Sequence, residues 1–184
     1  MPRFLAAFVL LVTTPLCPQE ARPKPSPTAS ARFGFSYQVP YGWVDRTAQM
    51  QADDTSKAQV LLATFERPPE VSADSVNSAV IIAAESAASY LGLKTAADYF
   101  GPLSELTTSK GFTIVNPPYM FTVGSRQLPR ADYSKPRGGL TMYQSSLAML
   151  SKGYIVSFTF IAGNDQEIAR LIESLKLSAL KPPR

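Results

Sequence analysis

The residue types that most often carry enzyme chemistry are nearly absent from this chain of 184 residues. It contains no histidine and a single cysteine, Cys17. Histidine is the usual general base and the commonest metal ligand, and a cysteine thiolate is the usual sulfur nucleophile or zinc ligand. The folded part of the chain therefore lacks both chemistries, and the sequence predicts no metal site and no cofactor.

Serine with lysine, and paired carboxylates, are the catalytic groups that remain. Ser178 and Lys181 have Ser-x-x-Lys spacing, but with 19 Ser and 8 Lys one such pair is expected by chance. Asp53 and Asp54 could act as an acid–base pair, but the polar stretch around them is interpreted as a solvated loop. Glu85 is interpreted as a strand-end carboxylate facing water, with partial burial as the alternative. The sequence therefore predicts that the protein is not an enzyme.

Two features are candidates for binding. Trp43, in the segment PYGW, has a large apolar face that could floor a ligand pocket, although packing in the core or turn is favoured. A local cluster of positive charge lies among turn-forming Pro and Gly residues, and its members are Arg126, Arg130, Lys135 and Arg137. A basic loop beside a sheet at this place is a candidate contact surface for an acidic protein partner, although an ordinary solvated hairpin without a partner is favoured.

The first 21 residues indicate export. Arg3 supplies a positive start, and residues 4–16 contain no charge. A membrane-spanning helix needs about 20 apolar residues, so this stretch is too short and is typical of a cleavable signal peptide over residues 1–21. We expect a periplasmic or extracellular protein without a membrane span. Lipidation of Cys17 and plain cleavage near Ala21 are both open.

The rest of the chain is organised as one domain. Residues 22–31 are predicted to be a proline-rich linker, residues 32–180 a single domain and residues 181–184 a tail. Removal of residues 1–21 leaves the net charge at +4, which is too mild to indicate nucleic-acid binding. The predicted domain has no cysteine, so it cannot form an internal disulfide.

Seven segments have the composition of β-strands. They are rich in β-branched and aromatic residues and are bounded by Pro, Gly or polar stretches. The predicted strands are residues 35–39, 59–66, 78–84, 112–115, 119–126, 139–150 and 154–162. Residues 151–153 are predicted to be a hairpin loop. Both faces of segment 154–162 are mostly apolar, so we expect this strand to be central and covered on both sides.

Two helices are predicted from apolar residues at helical spacing. The first begins at Thr95, with Asp98 as its capping partner, and Gly101-Pro102 predicts a kink or a break. Its apolar face is Ala96, Tyr99, Phe100, Leu103 and Leu106. The second begins after Asn164, with Glu167 completing a capping box. Its apolar stripe is Ile168, Leu171, Ile172 and Leu175. Strands and helices in this order predict an α+β fold, an antiparallel sheet of about six or seven strands packed between helices.

The chain resembles the PsbP-like domains of the Mog1/PsbP superfamily. The resemblance lies in FGFSYQVPYGW (33–43), in the hairpin YQSSLAMLSKGYIVSFTFIAG (143–163) and in the helix end ESLKL (173–177). It implies an α-β-α sandwich and a binding or assembly role without catalysis. Some relatives bind metal through histidines, a role that this histidine-free chain does not inherit.

These observations favour an exported, monomeric binding or assembly module of the bacterial envelope with a protein partner. A carrier of a small apolar ligand, held between sheet and helix, is the first alternative. An enzyme that uses carboxylates is the second.

Overall fold

A computed structural model describes residues 28–30, 32–53, 59–68 and 75–178, and the side chains of 30, 32–51, 61–68 and 75–178. The predicted signal peptide 1–21 with Cys17, linker residues 22–27 and 31, and the tail 181–184 lie outside the described residues. So do Asp54, the side chain of Asp53, and Lys181 of the Ser-x-x-Lys pair.

The described chain forms two antiparallel sheets. The larger sheet has seven strands in the order β3-β4-β5-β9-β8-β7-β6, and the smaller has three in the order β1-β2-β10. The strands are β1 Thr28–Ser30, β2 Phe35–Tyr37, β3 Val44–Asp45, β4 Gln59–Glu66, β5 Ala79–Ser86, β6 Thr113–Val123, β7 Arg126–Arg137, β8 Leu140–Ser151, β9 Tyr154–Ala162 and β10 Leu175–Leu177.

Three α-helices of the described chain flank the large sheet. They are α1 Thr47–Asp53, α2 Phe100–Ser109 and α3 Asp165–Glu173, and a single 3₁₀ turn follows β5 at Ala87–Ser89. Helix α3 and the small sheet cover one face, whereas α2 packs on the other. The predicted α-β-α sandwich around an antiparallel sheet of six or seven strands is confirmed, and the separate small sheet is an addition.

The larger core lies on the α3 face. Alternate residues of β5 and β9 point into it because side chains of a strand alternate between faces, and Val80, Ile82, Phe158 and Phe160 are fully buried. Phe35 of β2 meets Phe158 edge to face, with ring centroids 5.2 Å apart. Strand β9 lies fourth of seven and has buried residues on both faces, so its predicted central position is confirmed.

Helix α3 begins as the sequence predicts. The Asn164 side-chain oxygen accepts a hydrogen bond from the Glu167 backbone N–H at 2.9 Å, which satisfies one of the unpaired donors of the first turn. The Glu167 carboxylate instead accepts from Ser78 Oγ at 2.6 Å, so the capping box is half formed. Leu175 is buried as predicted, but it belongs to β10 rather than to the helix.

Helix α2 begins later than predicted. Residues 95–99 form turns in which the Asp98 carboxylate accepts from the Thr95 and Lys94 N–H groups at 2.7 and 2.9 Å. The helix then starts at Phe100. Pro102 lies in its first turn, where backbone N–H groups have no helical partner, so the helix needs neither a kink nor a break there. Leu106, predicted on the apolar face, is 54% exposed.

Strand β7 corrects the prediction of a basic loop over residues 126–137. Arg130 and residues 132–134 are paired on both sides, with β6 and with β8. Pro129 is paired only with β6, and Pro136 only with β8. Each proline therefore lies where one side of the strand needs no N–H donor, and this is where sheets tolerate proline.

The start of the fold also differs from the prediction. Strand β1 begins at Thr28, inside the predicted linker, and pairs with β2 from Thr28↔Tyr37 to Ser30↔Phe35. At the hairpin of residues 151–153, Lys152 and Gly153 both have positive φ, 51° and 79°. This is the two-residue turn whose twist matches antiparallel strands, so the predicted hairpin is confirmed.

Candidate functional site

A groove of about 740 Å³ lies between α2 and the exposed part of the large sheet. This volume is within the range of about 300–1,000 Å³ that is typical of small-molecule sites. Helix α2 forms one wall through Leu103, Leu106 and Thr107. The floor and the other wall come from β4, β5, β8 and β9, with Met50 of α1 at the rim.

The groove exists because α2 covers only part of its face of the sheet. Tyr99 and Phe100, at the start of the helix, pack with Tyr133, Ala148 and Ile155 into a small second core. Further along this same face of the sheet, no helix in the described part of the chain lies over β5 and β9. Groove side chains that are only half-buried there include Leu61, Ile81, Met142, Thr159 and Ile161.

The polar side chains of the groove floor bond to one another. Gln144 Nε2 donates to Ser146 Oγ at 3.3 Å, and Ser146 Oγ lies 3.4 Å from Thr159 Oγ1. Buried polar groups that are already paired gain nothing from further donors or acceptors. The floor therefore does not require a ligand with many hydrogen-bonding groups.

Glu85 closes one end of the groove. Its carboxylate accepts hydrogen bonds from the hydroxyls of Tyr90 and Tyr99, the latter at 2.7 Å. The two tyrosine rings meet edge to face at 5.4 Å. Burial, reinforced by the neighbouring Glu85 carboxylate, raises the pKa of both phenols far above their ordinary value. The favoured interpretation of Glu85 as a water-facing group is wrong, and the alternative of partial burial is correct.

This cluster is poorly suited to catalysis. A phenol with a raised pKa keeps its proton at neutral pH and is a weak base or nucleophile. The Glu85 carboxylate already accepts from two hydroxyls. Among the described residues there is no group of three or more His, Cys, Asp or Glu that could hold a metal ion. The arrangement is suited to anchoring groove walls rather than to moving a proton.

The four predicted partner-binding cations do not form one surface. They alternate along β7, whose register with β8 is regular from residue 130 to residue 137, so Arg130 faces α3 whereas Lys135 and Arg137 face α2. Arg126, four residues before Arg130 and half-buried, precedes this register. The structure brings Lys135 and Arg137 together and separates them from Arg130. Whether any of them contacts a partner protein stays a prediction.

Arg130 belongs to a buried polar network. Its Nε donates to Asp132 Oδ1 at 2.8 Å and its guanidinium lies 4.6 Å from the Phe121 ring centroid. Asn116 Nδ2 and Tyr119 OH donate to the other carboxylate oxygen at 3.0 and 2.9 Å. These two donors flank Pro117 and Pro118, where the β6–β7 register shifts. The network therefore pins an irregular edge strand.

Lys135 makes a different contact. Its Nζ donates to the backbone carbonyl of Lys110, the residue that caps the C-terminus of α2, at 2.6 Å. It also lies 5.6 Å from the Phe112 ring centroid. A positively charged ammonium near the C-terminus of a helix interacts favourably with the negative end of the helix dipole. Lys110 lines the groove, and sequence analysis missed it because nothing marks a single lysine after a helix.

Trp43 packs against the core beside a turn, the interpretation that the sequence favours. It is half-buried against the larger core and follows a turn in which the Trp43 N–H donates to the Pro40 carbonyl at 3.2 Å. Gly42 supplies the positive φ, 81°, that this turn requires. The indole also lines a second cleft of about 620 Å³ beside α3.

No helix in the described part of the chain combines the length and apolar character needed to cross a membrane. No protein-family model matches the sequence, and no curated protein is similar to it at a significant level.

The solved structures identify the fold. The cyanobacterial PsbP protein of Synechocystis superposes with a TM-score of 0.54 at 15% identity, over 88% of this chain and 96% of that one. The chain has the PsbP-like fold. This confirms the resemblance to the Mog1/PsbP superfamily at the level of architecture.

Two other solved structures superpose with lower TM-scores than PsbP. LpqN of Mycobacterium tuberculosis, a protein involved in cell envelope biogenesis, has a TM-score of 0.46 at 16% identity over 84% of this chain and 90% of its own. The Ran-binding protein Mog1 of Saccharomyces cerevisiae has a TM-score of 0.48 at 10% identity over 78% and 90%. The likeness to PsbP concerns the fold, so a function for this chain must come from its own groove.

Proposed function

We propose that this PsbP-like protein is an exported, non-catalytic binding module whose site is the groove between α2 and the sheet. The ligand is elongated and largely apolar. The observation that carries the proposal is the volume of about 740 Å³ over half-buried apolar side chains that no described element covers.

The shape of the groove supports an elongated ligand. The residues that line the groove extend along the sheet from Glu85 of β5, which pairs with Ile155, to Ile161 of β9, which pairs with Ala79. Six residues of strand span about 20 Å. Burial of apolar surface contributes roughly 25 cal/mol per Å², so a hydrocarbon chain along this path would bind mainly through the hydrophobic effect.

The chemistry of the walls supports the absence of catalysis. The polar groups of the floor and the Glu85 cluster are hydrogen-bonded within the protein. A reacting group would need a base or nucleophile with spare hydrogen-bonding capacity. Export is proposed from residues 1–21, which are typical of a cleavable signal peptide.

A pair of threonine-to-tryptophan variants tests the site. Thr159 lies half-buried on the groove floor, whereas Thr122 is exposed on the edge strand β6. Titration calorimetry with decanol should show one site in the wild type, a loss of at least tenfold in affinity for Thr159→Trp and no change for Thr122→Trp. Equal binding by all three proteins would contradict the proposal.

A second variant shows whether a loss of binding in Thr159→Trp could be due to misfolding. Leu106 is exposed on the groove-facing side of α2, so Leu106→Gln should fold normally and still weaken decanol binding. Unfolding midpoints of all variants show whether a loss of binding reflects the groove or the fold. A normal midpoint with unchanged decanol affinity in Leu106→Gln would contradict the proposal independently.

A protein partner is the second candidate. It is favoured by the cations Lys135 and Arg137 on the α2 face of β7, which could attract an acidic surface. Capture of a partner at low salt that is lost on replacing both residues with Gln would support it.

A further inference from the structure

One end of the groove is cationic. Lys110, directly after α2, is exposed, lines the groove and forms no ion pair with any residue that the structure describes. Lys135 Nζ lies 2.6 Å from the Lys110 carbonyl oxygen. In the sheet Lys135 lies directly opposite Met142, which also lines the groove. Lys135 Nζ therefore lies beside the backbone of Lys110, whose exposed side chain adds a second positive charge near this end.

The other end has a carboxylate that is already paired. Tyr99 immediately precedes α2 and donates to Glu85 at 2.7 Å, so the Glu85 cluster and Lys110 lie at opposite ends of the helix. A helix of ten residues spans about 15 Å. The groove is therefore an apolar channel with a hydrogen-bonded carboxylate at one end and, at the other, lysines that have no ion-pair partner among the described residues.

We propose that the ligand is an anionic amphiphile, with its hydrocarbon chain along the groove and its carboxylate or phosphate head at Lys110 and Lys135. This inference rests on the proposed function. The self-paired floor selects against a ligand rich in polar groups, and the half-buried aliphatic walls select for a chain. The two ammonium groups are the complement of a negatively charged head.

Probes with one ten-carbon chain and different heads separate the head from the chain. Calorimetry is carried out with decanoate, decyl phosphate and decyltrimethylammonium, each below its micelle concentration, and with decanol below its solubility limit. We expect both anions to bind roughly three- to tenfold more tightly than decanol, and the cation more weakly. The advantage of the anions should shrink at high salt because exposed charges are screened. A larger advantage for one anion identifies the head as carboxylate or phosphate.

The double variant Lys110→Gln/Lys135→Gln should remove the tighter binding of the anions and leave the affinity for decanol, the reference probe, unchanged. Lys110→Arg/Lys135→Arg should retain it. The matched control is Lys176→Gln, because Lys176 also donates to a carbonyl at the end of a helix, that of Glu173 at 2.9 Å, but lies in β10 on the opposite face.

Equal affinity for all four heads in the wild type, or an anion preference that survives the double Gln variant, would overturn the inference while the groove remained a site for apolar chains. In that case the two lysines would be left for an acidic protein partner. Failure of every probe to bind, decanol included, would overturn the proposed function itself.

Discussion

Arg130 and Asp132 lie two residues apart on the same strand and face, and the guanidinium Nε donates to the carboxylate at 2.8 Å. Their side chains are only 15% and 12% exposed. Ser145 Oγ, from the neighbouring strand β8, bonds to both of them. The pair therefore ties three strands together, β6 through Asn116 and Tyr119, β7 and β8.

Asp132→Asn should destabilise the protein by about 1–3 kcal/mol, because it leaves the mostly buried Arg130 guanidinium without a counter-charge. Urea unfolding of variant and wild type measures the difference. Arg126→Gln, six residues before Asp132 on the same strand, is the control and should cost less than about 0.5 kcal/mol. Similar losses in the two variants would show that the network does not pin the sheet.

The same carboxylate predicts a pH dependence. Burial opposes its ionisation, but hydrogen bonds from Ser145, Asn116 and Arg130 outweigh burial and hold the pKa of Asp132 below its ordinary value. A lowered folded-state pKa stabilises the protein above the unfolded-state pKa of about 4, and this contribution is lost as pH falls through the folded-state value. Unfolding free energies from pH 6 to pH 2 should therefore fall more steeply in the wild type than in Asp132→Asn. Parallel curves would contradict this assignment.

For Tyr37 we expect the opposite of Asp132: a substitution that does not destabilise the protein. Its side chain is fully buried, and its hydroxyl has no hydrogen-bond partner among the described residues. Burial raises its pKa well above the ordinary value. An unpaired buried hydroxyl costs about 1–3 kcal/mol, so Tyr37→Phe should leave the unfolding free energy unchanged or raise it by about 1 kcal/mol.

Tyr133→Phe is the matched control for Tyr37→Phe. Tyr133 is equally buried, but its hydroxyl lies 2.9 Å from Ser104 Oγ, so its removal should lower the unfolding free energy by about 1 kcal/mol. Chemical denaturation of both variants measures the contrast. A comparable loss in Tyr37→Phe would show that its hydroxyl is paired in the folded protein.

The fold could be predicted from the sequence where it depends on residues that are close together in the chain. The Asn164 cap and the stripe of α3 depend on neighbours three and four residues away, and both are present. Strand β7 was missed because its charges and prolines are typical of loops. Only the pairing of Arg130 and residues 132–134 on both sides, which is set by distant strands, reveals why a strand forms there.

The groove was less predictable than the fold. Alternation in β9 identifies Ser157, Thr159 and Ile161 as one face, but it does not show that α2 would leave that face partly uncovered. This depends on the late start of α2 at Phe100 and on its packing over Ala148 and Ile155. Lys110 becomes recognisable as a groove residue only once the helix and the sheet are placed together.

The most direct test of the groove is methyl NMR of the protein titrated with decanol. We expect shifts for the methyl groups of Leu103, Ile81 and Ile161, which line the groove, and none for Ile168 and Leu171, which belong to α3 and are buried against the other face of the sheet. Thr159→Trp should abolish these shifts. Shifts centred on α3 or on the edge strand β6, or the absence of any shift at saturating decanol, would contradict the assignment of the groove as the binding site.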